Sequence, residues 1–253
     1  MLTWLAVLCS TQLLTFTSSD RDSAAVYVQF GIRSARAFDH QKALDAYKRA
    51  HQIDPTNCSA LWRIAEAYVN LGEEADEKVK QQYFFVAEKW ARKAIEACPD
   101  TANAHFILAV AAGHLALRVS GGTKLKYSKV VKTEAEKTLA LQPDHHGAHH
   151  LLGRWHAEMA GLSWVLKTAA KVIYGGLPPA SYELAIEHFK RAIEIAPEWI
   201  NHHRQLGEIY MKLKKWDLAR QAFQKVLELP IQDHEDARHK ARVRKLLEKI
   251  KNK

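Results

Sequence analysis

The sequence predicts an all-α solenoid of about five helix pairs, with insertions inside the middle pairs and a capping helix at the carboxy end. Two observations carry this. Prolines follow similar helix-like endings at Pro55, Pro99, Pro143 and Pro197, spaced 44, 44 and 54 residues apart, and a fifth such ending is Leu227-Glu-Leu-Pro230. Small and aromatic residues then recur at fixed offsets from those prolines. Composition agrees. Only 11 Gly and 7 Pro in 253 residues are too few for the turns of a β-sandwich or barrel. An apolar share of 47% supports a packed core, and a charged share of 26% argues against a polytopic membrane protein. Three Cys are too few for a disulfide framework.

From the amino end, residues 1–19 carry no charged side chain. The apolar run Leu2–Ser10 continues through Leu13, Leu14 and Phe16 to small residues Thr17, Ser18 and Ser19, ahead of Asp20 and Arg21. This is the pattern of an export signal cleaved near Ser18 or Ser19, although the usual basic segment before the apolar run is missing. An uncleaved anchor is the second reading, since anchors need ~20 apolar residues and Thr, Ser and Gln dilute this run. A disordered tail or mis-assigned start is the third. The chain is exported, periplasmic or secreted, if the segment is removed, and membrane-anchored or cytoplasmic otherwise.

The remainder, 20–253, reads as one helical repeat domain. Counting back from Pro55 gives Ala50, Tyr47, Ala43, Gly31, Phe30 and Tyr27; counting back from Pro197 gives Ala192, Phe189 and Ala185. Counting forward from Pro197 gives Leu206, Gly207, Tyr210, Ala219 and Phe223. These offsets resemble the tetratricopeptide unit of about 34 residues. Gly or Ala at the eighth and Ala at the twentieth position let two helices approach closely, aromatics fill the gap to the next pair, and Pro ends the second helix because it cannot donate to the helical ladder. The predicted units are 24–57, 58–101, 102–145, 146–199 and 200–233. The middle three exceed the regular length by roughly 10, 10 and 20 residues between their two helices. Unit two is carried by Leu61, Ile64, Ala65, Tyr68, Ala87, Ala91 and Ala94, and unit three by His105, Leu108, Ala109, Val131 and Ala135. In 234–253, Val243, Leu246, Leu247 and Ile250 recur at helical spacing, as expected of a cap.

Ala60-Leu-Trp-Arg-Ile-Ala-Glu-Ala-Tyr68, His150-Leu-Leu-Gly-Arg-Trp155 with Ser163-Trp164, and Pro178-Pro-Ala-Ser-Tyr-Glu-Leu-Ala185 leading to Phe189 and Ala192 are similar to segments of the regulator of microtubule dynamics family. The resemblance covers about residues 58–250 and includes the insertions. It implies a helical, non-enzymatic interaction domain. Family members are associated with microtubules and spindle poles, and in one branch the repeat domain binds phospholipid at contacts between mitochondria and the endoplasmic reticulum. Residues 1–19 depart from the longer amino-terminal regions of animal members. Microtubules are therefore expected partners only if the chain is cytosolic.

In a tetratricopeptide array the first helix of each unit lines the concave face. The inward positions give an apolar amino-terminal half, Val28, Ile32, Trp62, Val69, Phe106 and Val110, and a polar carboxy-terminal half, His150, Arg154, Arg204, Glu208 and Lys212. Glu66, His114 and Asn201 occupy further inward positions. Such a groove suits a protein or peptide ligand, or an acidic lipid, with an apolar body and an anionic end. The alternative is that an insertion folds back and fills the groove as core.

Other constellations are weighed as follows. His145/His149 and His146/His150 have the spacing that puts two imidazoles on one helix face, with His202 and His203 in the next unit. No Cys partner or His-Glu-x-x-His order accompanies them, and His149 and His203 fit as packing residues, so no metal and no cofactor is expected. Cys58 opens the first helix of unit two and Cys98 closes its second, so a disulfide is feasible in an oxidising compartment. The apolar insertion 160–174, with Lys167 and Lys171, could pack on the array or lie on a membrane surface. Gly121-Gly122 lacks the strand and Gly-Lys-Ser/Thr of a phosphate loop. The net charge is +9, with 37 Lys/Arg against 28 Asp/Glu. Segments 118–137 and 231–253 each contribute +4, outside the consensus groove positions, which argues against a nucleic-acid ligand.

Overall fold

The computed structural model describes residues 18–176, 178–232 and 235–253; residues 1–17, which hold nearly all of the expected export signal, lie outside the described residues. Among the described residues the structure is all α-helix: α1 (Ser18–Arg36), α2 (His40–Ile53), α3 (Cys58–Glu74), α4 (Glu77–Ala97), α5 (Ala102–Ala116), α6 (Gly121–Leu141), α7 (His146–Ala160), α8 (Trp164–Tyr174), α9 (Tyr182–Ile195), α10 (Ile200–Lys212), α11 (Trp216–Glu228) and α12 (Asp236–Lys249). The pairs α1/α2, α3/α4, α5/α6, α7/α9 and α10/α11 stack in order, and α12 covers the last. No described helix is long and apolar enough to cross a membrane.

Each hairpin closes on contact between its two helices. In three units an aromatic ring of the second helix lies directly on a glycine of the first: Tyr47 on Gly31, Phe189 on Gly153 and Phe223 on Gly207, where an added Cβ would stand only 2.4, 2.9 and 2.5 Å from the ring. Units two and three replace both partners with alanine, Ala65 with Ala91 and Ala109 with Ala135, all fully buried. The missing bulk in unit two returns one layer further out, where Phe84 lies on Gly72.

The extra residues of units two and three are taken up as helix rather than loop. α4 and α6 each run 21 residues against 13 for α11, and only residues 75–76 separate α3 from α4. The insertion of unit four folds as α8. Its Ala169, Ala170, Ile173 and Tyr174 pack with Leu125 of α6 and Trp155 and Met159 of α7. Trp155 Nε1 donates to the Tyr174 hydroxyl at 3.1 Å, which donates to Ser128 Oγ at 3.0 Å, pinning the end of α8.

Successive units are joined by a repeated histidine bond. The fourth residue of each first helix in units three, four and five is His, and its Nε2–H donates to the carbonyl of the proline that ended the previous unit: His105 to Pro99 (2.8 Å), His149 to Pro143 (3.1 Å) and His203 to Pro197 (2.7 Å). Helix starts are capped by Asp39, Asn57, His145 and Ser181, each accepting a backbone N–H three residues on. At the carboxy end Val243 of α12 and Ile250, which follows it, bury against Phe223 and Val226 of α11 and the α10 side chains.

The structure joins Cys58 to Cys98, tying the start of α3 to the end of α4. Cross-linking residues 40 apart restricts the unfolded chain. Replacing both Cys by Ser should therefore lower stability by roughly 3–4 kcal/mol on a loop-entropy argument, read as a lower denaturant midpoint that reductant reproduces in the wild type. Gly207→Ala should cost about 1–3 kcal/mol, because Phe223 must leave its place; an unchanged melting temperature would refute the ring-on-glycine account.

Candidate functional site: the concave cleft

The first helices of units two to five, α3, α5, α7 and α10, present their inward residues to a cleft of about 520 Å³. One wall is apolar and aromatic: Trp62 from α3, and Phe106 and Val110 from α5. Phe106 is held by the start of α7, its ring 4.4 Å from that of His145 and over Gly147, where a Cβ would stand 2.6 Å away. Trp199, 40% exposed, closes the opposite side beside His146. Arg154 reaches into the cleft from α7. Among the described residues it has neither an ion-pair nor a hydrogen-bond partner; burial holds its pKa below the usual guanidinium value, while the more distant Glu158, Glu208 and Glu235 favour its charge. It stays a cation at neutral pH.

Of the residues expected in the groove, Trp62, Phe106, Val110, His150 and Arg154 line this cleft. Val28 and Val69 do not. Val28 is buried with Ala24, Ala50 and Ala60, and Val69 with Phe84 and Leu115, between neighbouring helices. Ile32 packs partly buried against the same core. Arg204 and Glu208 lie at the carboxy end, bound to each other. Arg204, 8% exposed, donates to Glu208 at 2.5 Å and to Asn201 at 2.6 Å, and Arg242 of α12 donates to the same Glu208 at 2.8 and 2.9 Å. Burial opposes ionisation of Glu208, but the bonds from Arg242 and Arg204 outweigh it and hold its carboxyl below the usual range. Lys212 stands over the Tyr182 ring at 5.7 Å and outside the cleft lining. The insertion does not fill the cleft, since no α8 residue lines it.

Sequence reasoning missed Trp199, His202 and Glu235 as cleft residues. It also placed the basic cap away from the concave face. In the structure, Arg238 and His239 of α12 share a hollow with Arg154, Asn201 and Arg204 that continues the cleft toward the carboxy end. Burial and then the neighbouring Arg204 and Arg238 charges push the His239 pKa down to about 4.

The histidines form contacts with one another and hold no metal geometry: no group of three or more His, Cys, Asp or Glu among the described residues is placed to bind an ion. His202 bridges His146 (3.0 Å) and His150 (2.8 Å), and His149 pairs with His188 at 3.0 Å. The i,i+4 pair His145/His149 is committed elsewhere, His145 to capping α7 and His149 to Pro143.

The sequence profile of the family described as "Regulator of microtubule dynamics protein 1-3" matches residues 31–251. The chain belongs to the regulator of microtubule dynamics family. It is 26% identical to regulator of microtubule dynamics protein 1 of Bos taurus over 76% of this chain and 62% of that protein. It is 32% identical to regulator of microtubule dynamics protein 3 of Bos taurus and 29% identical to that of Rattus norvegicus, each over 70% of this chain and 38% of the relative. The chain thus matches less than two thirds of the length of these relatives. A tetratricopeptide protein of Thermus thermophilus superposes with a TM-score of 0.64 at 16% identity, covering 88% of this chain and 98% of that one. Pseudomonas aeruginosa pilF gives 0.57 at 16% identity, over 90% of this chain and 86% of that one. These likenesses establish the fold of this family member as a tetratricopeptide-type solenoid.

Burial, reinforced by neighbouring histidines, pushes the pKa of His202 down to about 3 and that of His188 to about 4. Both stay neutral when folded, whereas the unfolded chain takes up their protons near pH ~6.5. Stability should be flat above about pH 6.5 and fall steadily from there toward pH 4. A thermal midpoint followed from pH 8 to 4 checks this, with a shallower fall expected in His188→Gln.

Proposed function

We propose that the chain is a non-enzymatic scaffold that holds a segment of a protein partner in the concave cleft, with apolar side chains against Trp62, Phe106 and Val110 and an anionic group on Arg154. The observation that supports this is Arg154 itself, a cation facing an aromatic-walled cleft with no partner of its own among the described residues. A desolvated guanidinium favours a carboxylate or phosphate held in two parallel bonds. The apolar wall supplies affinity, and the charge sets orientation.

The Cys58–Cys98 bridge supports an oxidising compartment, since such bonds rarely persist in the cytosol. It agrees with the export signal read in residues 1–19. The relatives' name favours a second reading, microtubule association, for a cytosolic chain. Co-sedimentation with tubulin polymer under non-reducing conditions separates the two.

A photo-crosslinking residue at Trp199 should capture the partner in material from the native source, with the cross-link mapping to one short segment. Arg154→Gln should fold normally and weaken that partner's binding by about 10- to 100-fold, the worth of a charge-assisted hydrogen bond. Capture unaffected by Arg154→Gln would refute the cleft assignment, and an acidic lipid recovered in place of a protein would replace the partner class.

A further inference from the structure

We propose that the outer face of α8 docks on an anionic lipid bilayer, and that this is a surface separate from the cleft. α8 is apolar on two sides. One side is the packed face described above, with Ala170 fully buried. The other carries Trp164, Val165 and Val172, which are 77%, 58% and 82% exposed. Trp164, Thr168 and Val172 follow at i, i+4 and i+8, so they form one stripe along the helix. Three large apolar residues this exposed on one helix face are far from the isolated exposed apolar residue that any surface tolerates.

The surrounding charge indicates what covers the stripe. Residues 159–182 contain Lys167 and Lys171 and no Asp or Glu. The first turns of α6, against which α8 packs, add Lys126 and Lys129, whereas Lys124 and Lys132 are engaged by Glu158 (3.8 Å) and Glu136 (2.5 Å). Lys129 Nζ donates to the Ile173 carbonyl at 3.0 Å, which places α6 lysine charge at the carboxy end of α8. A stripe of one tryptophan and two valines, with Lys167 and Lys171 on its own helix and Lys126 and Lys129 on the neighbouring one, matches the interfacial region of a bilayer with anionic headgroups. There the indole and valines enter the headgroup boundary and the lysines meet phosphates. Because no α8 residue lines the cleft, the docked protein keeps the cleft open.

The test is co-sedimentation of the full chain with vesicles of phosphatidylcholine alone and of phosphatidylcholine with 30% phosphatidylserine. Binding is expected only to the anionic vesicles. Lys167→Glu with Lys171→Glu should lower partition by roughly twentyfold or more, at about fivefold per lysine charge near the surface. Trp164→Ala with Val172→Ala should lower it similarly, with an unchanged circular dichroism spectrum because these side chains are exposed. Lys245→Glu with Lys249→Glu, equally charged but on α12, should change it little. A blue shift of tryptophan emission on adding anionic vesicles should disappear in Trp164→Phe. The proposal is overturned if the chain ignores both vesicles, if the α12 variant loses as much binding as the α8 variants, or if Trp164→Ala dissociates a dimer of a chain that does not bind vesicles.

Discussion

The structure depends on how closely the two helices of each unit approach. A ring laid on a glycine brings the axes together and fills the space a side chain would have taken, so the interface is dense with one large and one absent side chain. Units one, four and five use that arrangement, with Tyr47, Phe189 and Phe223 on Gly31, Gly153 and Gly207. Units two and three reach closeness by another route, alanine against alanine, and unit two places an aromatic further along, Phe84 on Gly72. Both solutions leave the paired positions fully or almost fully buried, which is the condition a packed interior imposes. Once hairpins of this shape exist, their inward residues define the cleft.

The stack between hairpins is set by a more polar device. His105, His149 and His203 each bond the carbonyl left over where proline ended the previous helix. That carbonyl lies two residues past the last helical residue, outside the helical ladder, and so needs a donor from elsewhere. The imidazole answers that need from the next unit and so fixes the angle between units. The other histidines between α7, α9 and α10 bond one another instead, His202 to His146 and His150, and His188 to His149.

The five pairs and the cap were legible because offsets from the prolines survive in the sequence, whereas α8 lies in an insertion that those offsets do not reach. Gly207, Ala219 and Phe223 can be found by counting alone. The inward face was legible only as a direction. Counting identifies Val28 and Val69 as readily as Trp62 and Phe106, yet both valines are buried between helices while Trp62, Phe106 and the equally short Val110 reach the cleft. Trp199 precedes α10 and Glu235 precedes α12, so neither belongs to a helical face that periodicity could assign. The cap's contribution was hidden for the same reason: nothing in the spacing of Arg238 and His239 says that α12 turns its basic side toward Arg204. The surplus residues of units two and three were visible as a length, but whether they form a loop or a longer hairpin depends on contacts such as Phe84 on Gly72.

Those longer hairpins separate two dimensions of the molecule that a regular array would tie together. Adding a unit lengthens the stack; adding residues at the turn of a hairpin raises its height, at about 1.5 Å per residue. The tall turns of α3/α4 and α5/α6 bring Glu73, Glu77, Leu117 and Arg118 to a rim across from Arg204 and Arg238. The trough therefore has one high bank and one low bank. The shape of what fits can thus change by one helical turn at a time while the stacking contacts stay as they are.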